Sequence, residues 1–70
     1  MEEKDIGAII RKARTDMHYT QAQVGVLLGY TGESAEVSVR RWESNARPVP
    51  LEKLRKLAEV LHLKLDDLIP

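Results

Sequence analysis

The stretch TQAQVGVLLGYTGESAEVSVRRWE, residues 20–43, decides the fold of this chain. Thr20 is a residue type that caps helices, because its hydroxyl oxygen can accept a hydrogen bond from an unpaired amide of the first turn. The apolar residues that follow it at helical spacing predict a helix over residues 21–28, and Gly29 favours the end of that helix. The stretch therefore opens with a short, capped helix.

A second helix is predicted in the later half of the same stretch. Ala35, Val39 and Trp42 recur at intervals of four and three residues, which is the period of an amphipathic helix that ends near residue 43. Because Trp42 lies on this apolar stripe, we expect it to fill the core rather than to stack on a ligand. Tyr30, at a helix end, is expected at the edge of the core.

The segments on either side continue the helical pattern. Apolar residues at helical spacing predict one helix over about residues 3–16 and another that begins near residue 51. Pro48 and Pro50 mark the loop before that second helix, because proline cannot continue a helix. A fifth, short helix is predicted over residues 65–69. With no strand-like alternation in the sequence, we expect an all-α fold, a compact five-helix domain that spans the whole chain.

The composition argues against several classes of protein. The chain has 70 residues, no cysteine, and 11 basic against 11 acidic residues, so it forms one small domain of zero formal net charge. Lack of cysteine excludes disulfides and thiolate metal sites, and His18 and His62 have no second ligand at metal-binding spacing, so no metal or cofactor is predicted. No nucleophile–base pair or carboxylate dyad indicates an enzyme. No apolar run is long enough for a signal peptide or a membrane span, and we expect a cytoplasmic protein.

Three segments together resemble a known family: TQAQVGVLLG at residues 20–29, SVRRWE at 38–43 and LEKLRKLA at 51–58. Their order and spacing are similar to those of the helix-turn-helix family of lambdoid phage repressors and Cro, the Xre type. The likeness runs from about residue 6 to residue 69. The resemblance implies a repressor-like DNA-binding domain whose third helix enters the major groove of double-stranded DNA. It further implies a transcriptional regulator that binds a specific sequence and acts as a repressor.

The resemblance also implies a set of DNA-binding residues along helices 2 and 3 and the loop after helix 3. Gln21 stands where the family's glutamine meets a DNA phosphate. Arg40 and Arg41 are exposed by the period of helix 3, and each guanidinium can donate two parallel hydrogen bonds to a guanine or to a phosphate. Arg47 matches a region where the family contacts the DNA backbone. The full set is Thr20, Gln21, Glu36, Val37, Ser38, Arg40, Arg41, Asn45 and Arg47.

Each of these assignments has a structural alternative that the residues leave open. Gln21 can be a solvated first-turn residue, and the arginines can be ordinary surface charges. Glu36 can accept a hydrogen bond from a cytosine amino group, but it repels phosphate, so a solvated or ion-paired Glu36 is an equal alternative. The resemblance also implies an ion pair between Arg14 in helix 1 and Glu43 at the end of helix 3. Such a pair would clamp helix 3 onto the domain.

The chain departs from the family pattern between Gly29 and Trp42, where it has about four more residues than is usual. Either the turn is longer or helix 3 gains about one turn at its start, so the role of residues 31–36 stays open. Four residues rotate a helix by about 400°, so an extended helix 3 would keep its apolar face on the core. Gly25 replaces the usual alanine and still permits close approach of helices 2 and 3.

The sequence also predicts a homodimer and leaves one alternative function open. Leu65, Leu68 and Ile69 are more apolar groups than a short terminal helix is expected to bury, so they predict a homodimer interface. Two copies would then present their third helices about 34 Å apart, one turn of DNA. The alternative is a protein-interaction module, such as an antitoxin or an adaptor, that binds its partner through helices 4 and 5.

Overall fold

The first helix begins where an aspartate caps it. The computed structural model describes residues 4–70, and in it helix α1 spans Ile6–Asp16. The Asp5 carboxylate accepts a hydrogen bond from the Ala8 amide at 3.0 Å, and Asp5 itself has an extended backbone. A capping residue has non-helical dihedral angles, so α1 starts later than predicted from the sequence. The predicted start near residue 3 lies outside the described residues.

The second helix, α2, spans Gln21–Leu27 and begins at the predicted cap. The Thr20 hydroxyl accepts a hydrogen bond from the Gln23 amide at 3.0 Å, and the Thr20 amide donates to the Gln23 side-chain oxygen at 2.8 Å. This reciprocal pair satisfies two amides that the first turn of a helix leaves unpaired. The helix ends one residue earlier than predicted, and Gly29 carries the turn with a φ of +98°.

The third helix, α3, spans Glu33–Glu43, which decides between the two alternatives for the additional residues. Residues 33–36 extend α3 at its start, whereas residues 31 and 32 remain in the turn between α2 and α3. Ala35, Val39 and Trp42 are all buried, so the extension preserves the apolar face of the helix. The prediction that Trp42 belongs to the core is confirmed, because only 4% of its surface is exposed.

The fourth helix, α4, spans Leu51–Leu61 and is followed by a single 3-10 turn over Leu65–Leu68. A fifth α-helix is therefore not confirmed: residues 4–70 contain four α-helices, one 3-10 turn at the predicted position of the fifth helix, and no strand. Pro70 disfavours a helical backbone at the residue before it, and Ile69 is extended, with φ −112° and ψ 132°. The turn cannot lengthen into a helix in that direction.

The core gathers apolar side chains from every helix and from the 3-10 turn. Its buried members are Ile10, Val24, Leu28, Val39, Trp42, Leu57, Ala58, Leu61 and Leu68. Lys53 joins α4 to the end of α2, because its ammonium group donates to the Leu28 carbonyl at 2.9 Å. The same group lies 4.9 Å from the centre of the Tyr30 ring, whose edge packs against Trp42 at 5.9 Å. These contacts hold the α2–α3 turn against α4.

Candidate nucleic-acid interface

Helices α2 and α3 form a tightly packed helical hairpin. A Cβ atom at Gly25 would overlap the backbone carbonyl of Ala35, so only glycine allows α2 to approach the first turn of α3 this closely. Ala35 lies in the additional turn of α3. The longer third helix therefore requires glycine at position 25, because the Cβ atom of an alanine there would overlap the backbone of Ala35.

The outer face of α3 carries most of the residues proposed to read DNA. Glu36, Arg40 and Arg41 are exposed, whereas Val37 and Ser38 are half-buried. Arg40 and Glu36 form an ion pair one helical turn apart, at 3.4 Å, with each side chain more than half exposed. An exposed pair of this kind contributes little to stability, so both groups can exchange partners at small cost. In this structure Glu36 is therefore ion-paired, in agreement with one of its two alternatives.

A buried ion pair connects α1 to the end of α3, as predicted. The Arg14 guanidinium donates to the Glu43 carboxylate through Nε at 2.5 Å and through Nη2 at 3.0 Å. The two side chains are only 12% and 5% exposed. Hydrogen bonding to Glu43 raises the pKa of Arg14 above its ordinary value, so the guanidinium stays charged wherever the fold persists. Arg14 also donates to the Tyr19 carbonyl at 2.9 Å, which anchors the turn before α2.

Gln21, the proposed phosphate ligand, belongs to the same network. Its side-chain amide donates to the Glu43 carboxylate at 3.2 Å, and the residue is half-buried. A primary amide carries two N–H donors, so one of them is left for a phosphate. The structure thus places Gln21 as a bridge between the buried ion pair and the surface. Its neighbour Thr20 is exposed, and its hydroxyl oxygen acts as the cap of α2.

The side chain of Asn45 is directed to the start of α1. It accepts a hydrogen bond from the Gly7 amide at 3.1 Å and donates to the Asp5 carboxylate at 2.9 Å. Asn45 adopts the left-handed conformation, with φ +63°, which asparagine tolerates better than most residues. In this conformation the Asn45 side chain joins the start of α1 to the end of α3.

Arg41 and Arg47 both line one open cleft. The loop after α3 folds back so that the Arg47 amide donates to the Arg41 carbonyl at 3.3 Å. The cleft is lined by Tyr30, Ser38, Arg41, Trp42, Arg47, Pro48 and Pro50. Only the path of the loop brings Tyr30 close to the two arginines. No local signal in the sequence indicates that path, so this grouping is not predictable from the sequence.

The residues proposed for a dimer interface have different surroundings. Leu68 is only 2% exposed and belongs to the core of the chain, so its side chain is not available to a partner in this conformation. Leu65 and Ile69 are 41% and 42% exposed. The short 3-10 turn buries one of the three side chains and leaves the other two partly on the surface.

Comparison with known proteins identifies the family. The model of the helix-turn-helix family matches residues 10–68, which is most of the chain. No curated protein and no solved structure matches the chain. Over the part of the chain that the structure describes, no helix is long and apolar enough to cross a membrane. The matched range covers the α2–α3 hairpin and the helices that support it, and the chain therefore belongs to the Xre-type helix-turn-helix family of DNA-binding transcription regulators.

Proposed function

We propose that this chain binds double-stranded DNA at a specific sequence and acts as a transcriptional repressor, with α3 in the major groove. The observation that carries the proposal is the position of Arg40 and Arg41. Both are exposed on the second helix of the hairpin, the element that helix-turn-helix domains insert into the groove. The Arg14–Glu43 ion pair supports it, because a helix that reads DNA has to be held in a fixed orientation.

The exposed face of α3 offers chemically different contacts to base edges. The Arg40 guanidinium can donate two hydrogen bonds to the major-groove edge of guanine, which is the commonest specific contact in protein–DNA complexes. Release of Arg40 from Glu36 frees the carboxylate to accept from a cytosine amino group. Val37 can contact the methyl group of thymine. The pairing of Arg40 and Glu36 in the free protein thus prepares both groups to exchange their mutual contact for contacts with bases.

Phosphate contacts are proposed on both sides of the hairpin. Gln21 donates its second amide N–H to a phosphate at the start of α2, while Glu43 holds the first. Arg47 contacts the backbone from the loop after α3. These contacts set the register of α3 in the groove and carry no sequence information themselves.

We further propose that the active species is a homodimer in which Leu65 and Ile69 meet their counterparts in a second copy. The exposed remainder of these two side chains is small, so the association is weak until DNA brings two copies together. The paired α3 helices then lie about 34 Å apart on one face of the duplex. Sedimentation equilibrium of the wild type and of Leu65→Asp tests this assembly. A wild type that stays monomeric on a palindrome as well as on a half-site would refute the dimer.

The experiment that tests DNA binding is selection of bound sequences from a random duplex library. We expect a defined sequence to be enriched, with two related half-sites if the dimer forms. The double substitution of Arg40 and Arg41 by alanine should nearly abolish binding at moderate salt. Lys56→Ala is the matched control, because Lys56 is an exposed cation on α4 whose partner is Glu59, and it should bind as the wild type does. Equal binding by the double variant, with helicity intact, would refute the proposal.

A protein-interaction module remains the second candidate, and exposed apolar side chains favour it. Leu51, at the start of α4, is 87% exposed, and Val26 on α2 is 60% exposed. Apolar groups on the surface are common in themselves, but several in one small domain are compatible with a protein partner. This candidate predicts that the library selection enriches no sequence. It also predicts that Leu51→Asp leaves DNA binding unchanged while it prevents recovery of the partner.

A further inference from the structure

The solvent side of α2 is uncharged and partly apolar. Charged residues make up 31% of the chain, yet residues 17–32, which include all of α2, contain no aspartate, glutamate, lysine or arginine. A surface helix ordinarily directs charged and polar groups to solvent. On α2, by contrast, Val26 is 60% exposed and Leu27 is 46% exposed. The solvent side of α2 therefore differs from that of an ordinary surface helix.

The exposed residues of α2 form one continuous face. Residues three and four apart on a helix share a side, and the last residue before the cap adds its ring to the same surface. Val24 and Gly25 are buried on the opposite side of the helix. The face is an open groove of about 400 Å³, which we call the α2 face, lined by Tyr19, Ala22, Gln23, Val26 and Leu27.

The α2 face has no part in the proposed DNA binding. None of the residues proposed to contact DNA lines it, and α3 packs on the other side of α2, where Gly25 meets Ala35. The face contains no cation to pair with a phosphate. Depletion of charge together with exposed apolar side chains is typical of the centre of a protein–protein interface. The α2 face therefore suits a protein surface and not a nucleic acid.

Lack of charge favours a second copy of the same chain as the partner. In a two-fold pair each surface meets itself, so any charged group near the axis lies close to its own counterpart. Like charges in contact oppose association. The α2 face meets itself without this opposition. At the 3-10 turn, by comparison, the exposed Asp66 lies between Leu65 and Ile69 in the sequence.

Gln23 adds a self-complementary group to the α2 face. Its side-chain oxygen accepts from the Thr20 amide at 2.8 Å. An amide oxygen has two lone pairs and an amide nitrogen has two N–H donors, so this side chain can still donate to and accept from an identical group. Two copies of Gln23 can therefore bond reciprocally across a two-fold axis.

We propose that the α2 face pairs with the α2 face of a second copy, as a self-association surface separate from the one proposed at the 3-10 turn. The proposal goes beyond DNA binding and does not depend on it. A chain with two separate two-fold surfaces can link one pair of copies to the next. The apolar side chains involved are few, and association also has to offset the lost freedom of two chains, so this pairing is weak.

Sedimentation equilibrium at a few hundred micromolar tests the pairing in Leu65→Asp, a variant that removes the other proposed surface. We expect Leu65→Asp to associate still, although more weakly than the wild type. Adding Val26→Glu should weaken the remaining association at least about tenfold, because two carboxylates then meet. Adding Leu51→Glu instead is the matched control: Leu51 is 87% exposed on α4, and its replacement should leave association unchanged. Circular dichroism verifies that each variant is helical.

A mixture of two charged variants tests whether the partner is a second copy. Val26→Glu and Val26→Lys, each in the Leu65→Asp background, should both be monomeric alone. An equimolar mixture should associate at least as strongly as Leu65→Asp, because opposite charges then meet across the axis. Association of Leu65→Asp should change less than about twofold over a tenfold increase in salt, whereas association of the mixture should weaken.

Several results would overturn the proposal. If the wild type associates and Leu65→Asp is monomeric, all pairing occurs at the 3-10 turn. If Val26→Glu leaves the association of Leu65→Asp unchanged, the α2 face is not the contact. If the mixture of charged variants does not associate, position 26 does not meet its counterpart in a two-fold pair. A wild type that is monomeric at every concentration would leave the α2 face to a different protein.

Discussion

Removal of the Glu43 carboxylate should be among the most destabilising single changes at the α1–α3 junction. Glu43→Ala deletes the acceptor of two hydrogen bonds from Arg14 and one from Gln21. It leaves a guanidinium that is only 12% exposed without its counter-charge. Breaking a buried pair from one side costs about 3–5 kcal/mol. Because Arg14 retains its bond to the Tyr19 carbonyl, we expect the lower end, about 3 kcal/mol.

This loss is large relative to the stability of so small a domain. At about 0.05–0.15 kcal/mol per residue, a chain of this length has roughly 3.5–10 kcal/mol in total. Urea unfolding can be monitored by the fluorescence of Trp42, the single tryptophan, which is buried in the folded state. The melting temperature should fall by about 12–24 °C, since 1 kcal/mol corresponds to about 4–8 °C at this size.

Two further variants separate charge from packing. Glu59→Ala removes one partner of an exposed pair on α4, 3.9 Å from Lys56, and should cost less than about 1 kcal/mol. The double variant Arg14→Met/Glu43→Leu should recover most of the lost stability, because it leaves no unpaired charge in the interior. If Glu43→Ala were no less stable than Glu59→Ala, the ion pair would not clamp α3. A double variant as unstable as Glu43→Ala would assign the loss to packing.

Other changes test the backbone and the first cap. Gly25→Ala should lower the free energy of unfolding by at least about 2 kcal/mol, because the added methyl group meets the backbone of α3; urea titration measures it. His62→Gly should raise the free energy of unfolding by about 0.5–1 kcal/mol, because His62 has a φ of +55° at the end of α4 and glycine adopts this conformation without strain. Urea titration measures this change as well. Hydrogen bonds from the Asn45 side chain and from the backbone of the first turn lower the pKa of Asp5 from 3.8. Its ionised form therefore stabilises the fold above that pH, and the contribution is lost as the pH falls through the lowered pKa. Thermal melts of Asp5→Asn and wild type should differ at neutral pH and converge in acid.

Patterns that depend on local spacing predicted most of the architecture. Four helices, the cap at Thr20 and the burial of Trp42 follow from apolar periodicity and capping chemistry, which act within a few residues. The Arg14–Glu43 pair was implied by resemblance, and the structure confirms it. The last element is a 3-10 turn rather than the expected α-helix, because the same apolar spacing fits both and Pro70 disfavours a helical backbone at Ile69.

Features that depend on the path of the chain were not predictable from spacing. Local spacing predicts an exposed Leu68, whereas its burial depends on how the last turn folds back onto α1 and α4. The Asn45 side chain bonds to residues about forty positions away in the sequence, which no local pattern indicates. The cleft of Arg41 and Arg47 exists because three hydrogen bonds to one carbonyl close the loop. In each case a long-range or loop contact decides the surroundings of the side chain.

The contact between Gly25 and the first turn of α3 limits how the specificity of this domain can be re-engineered. A shorter third helix transplanted from a relative would leave a void where Ala35 now meets Gly25. In the other direction, a host with alanine at that position would clash with the longer α3 of this chain. Transfer of DNA preference in either direction therefore requires exchange of the α2–α3 hairpin as one cassette, with its glycine, rather than of the recognition helix alone.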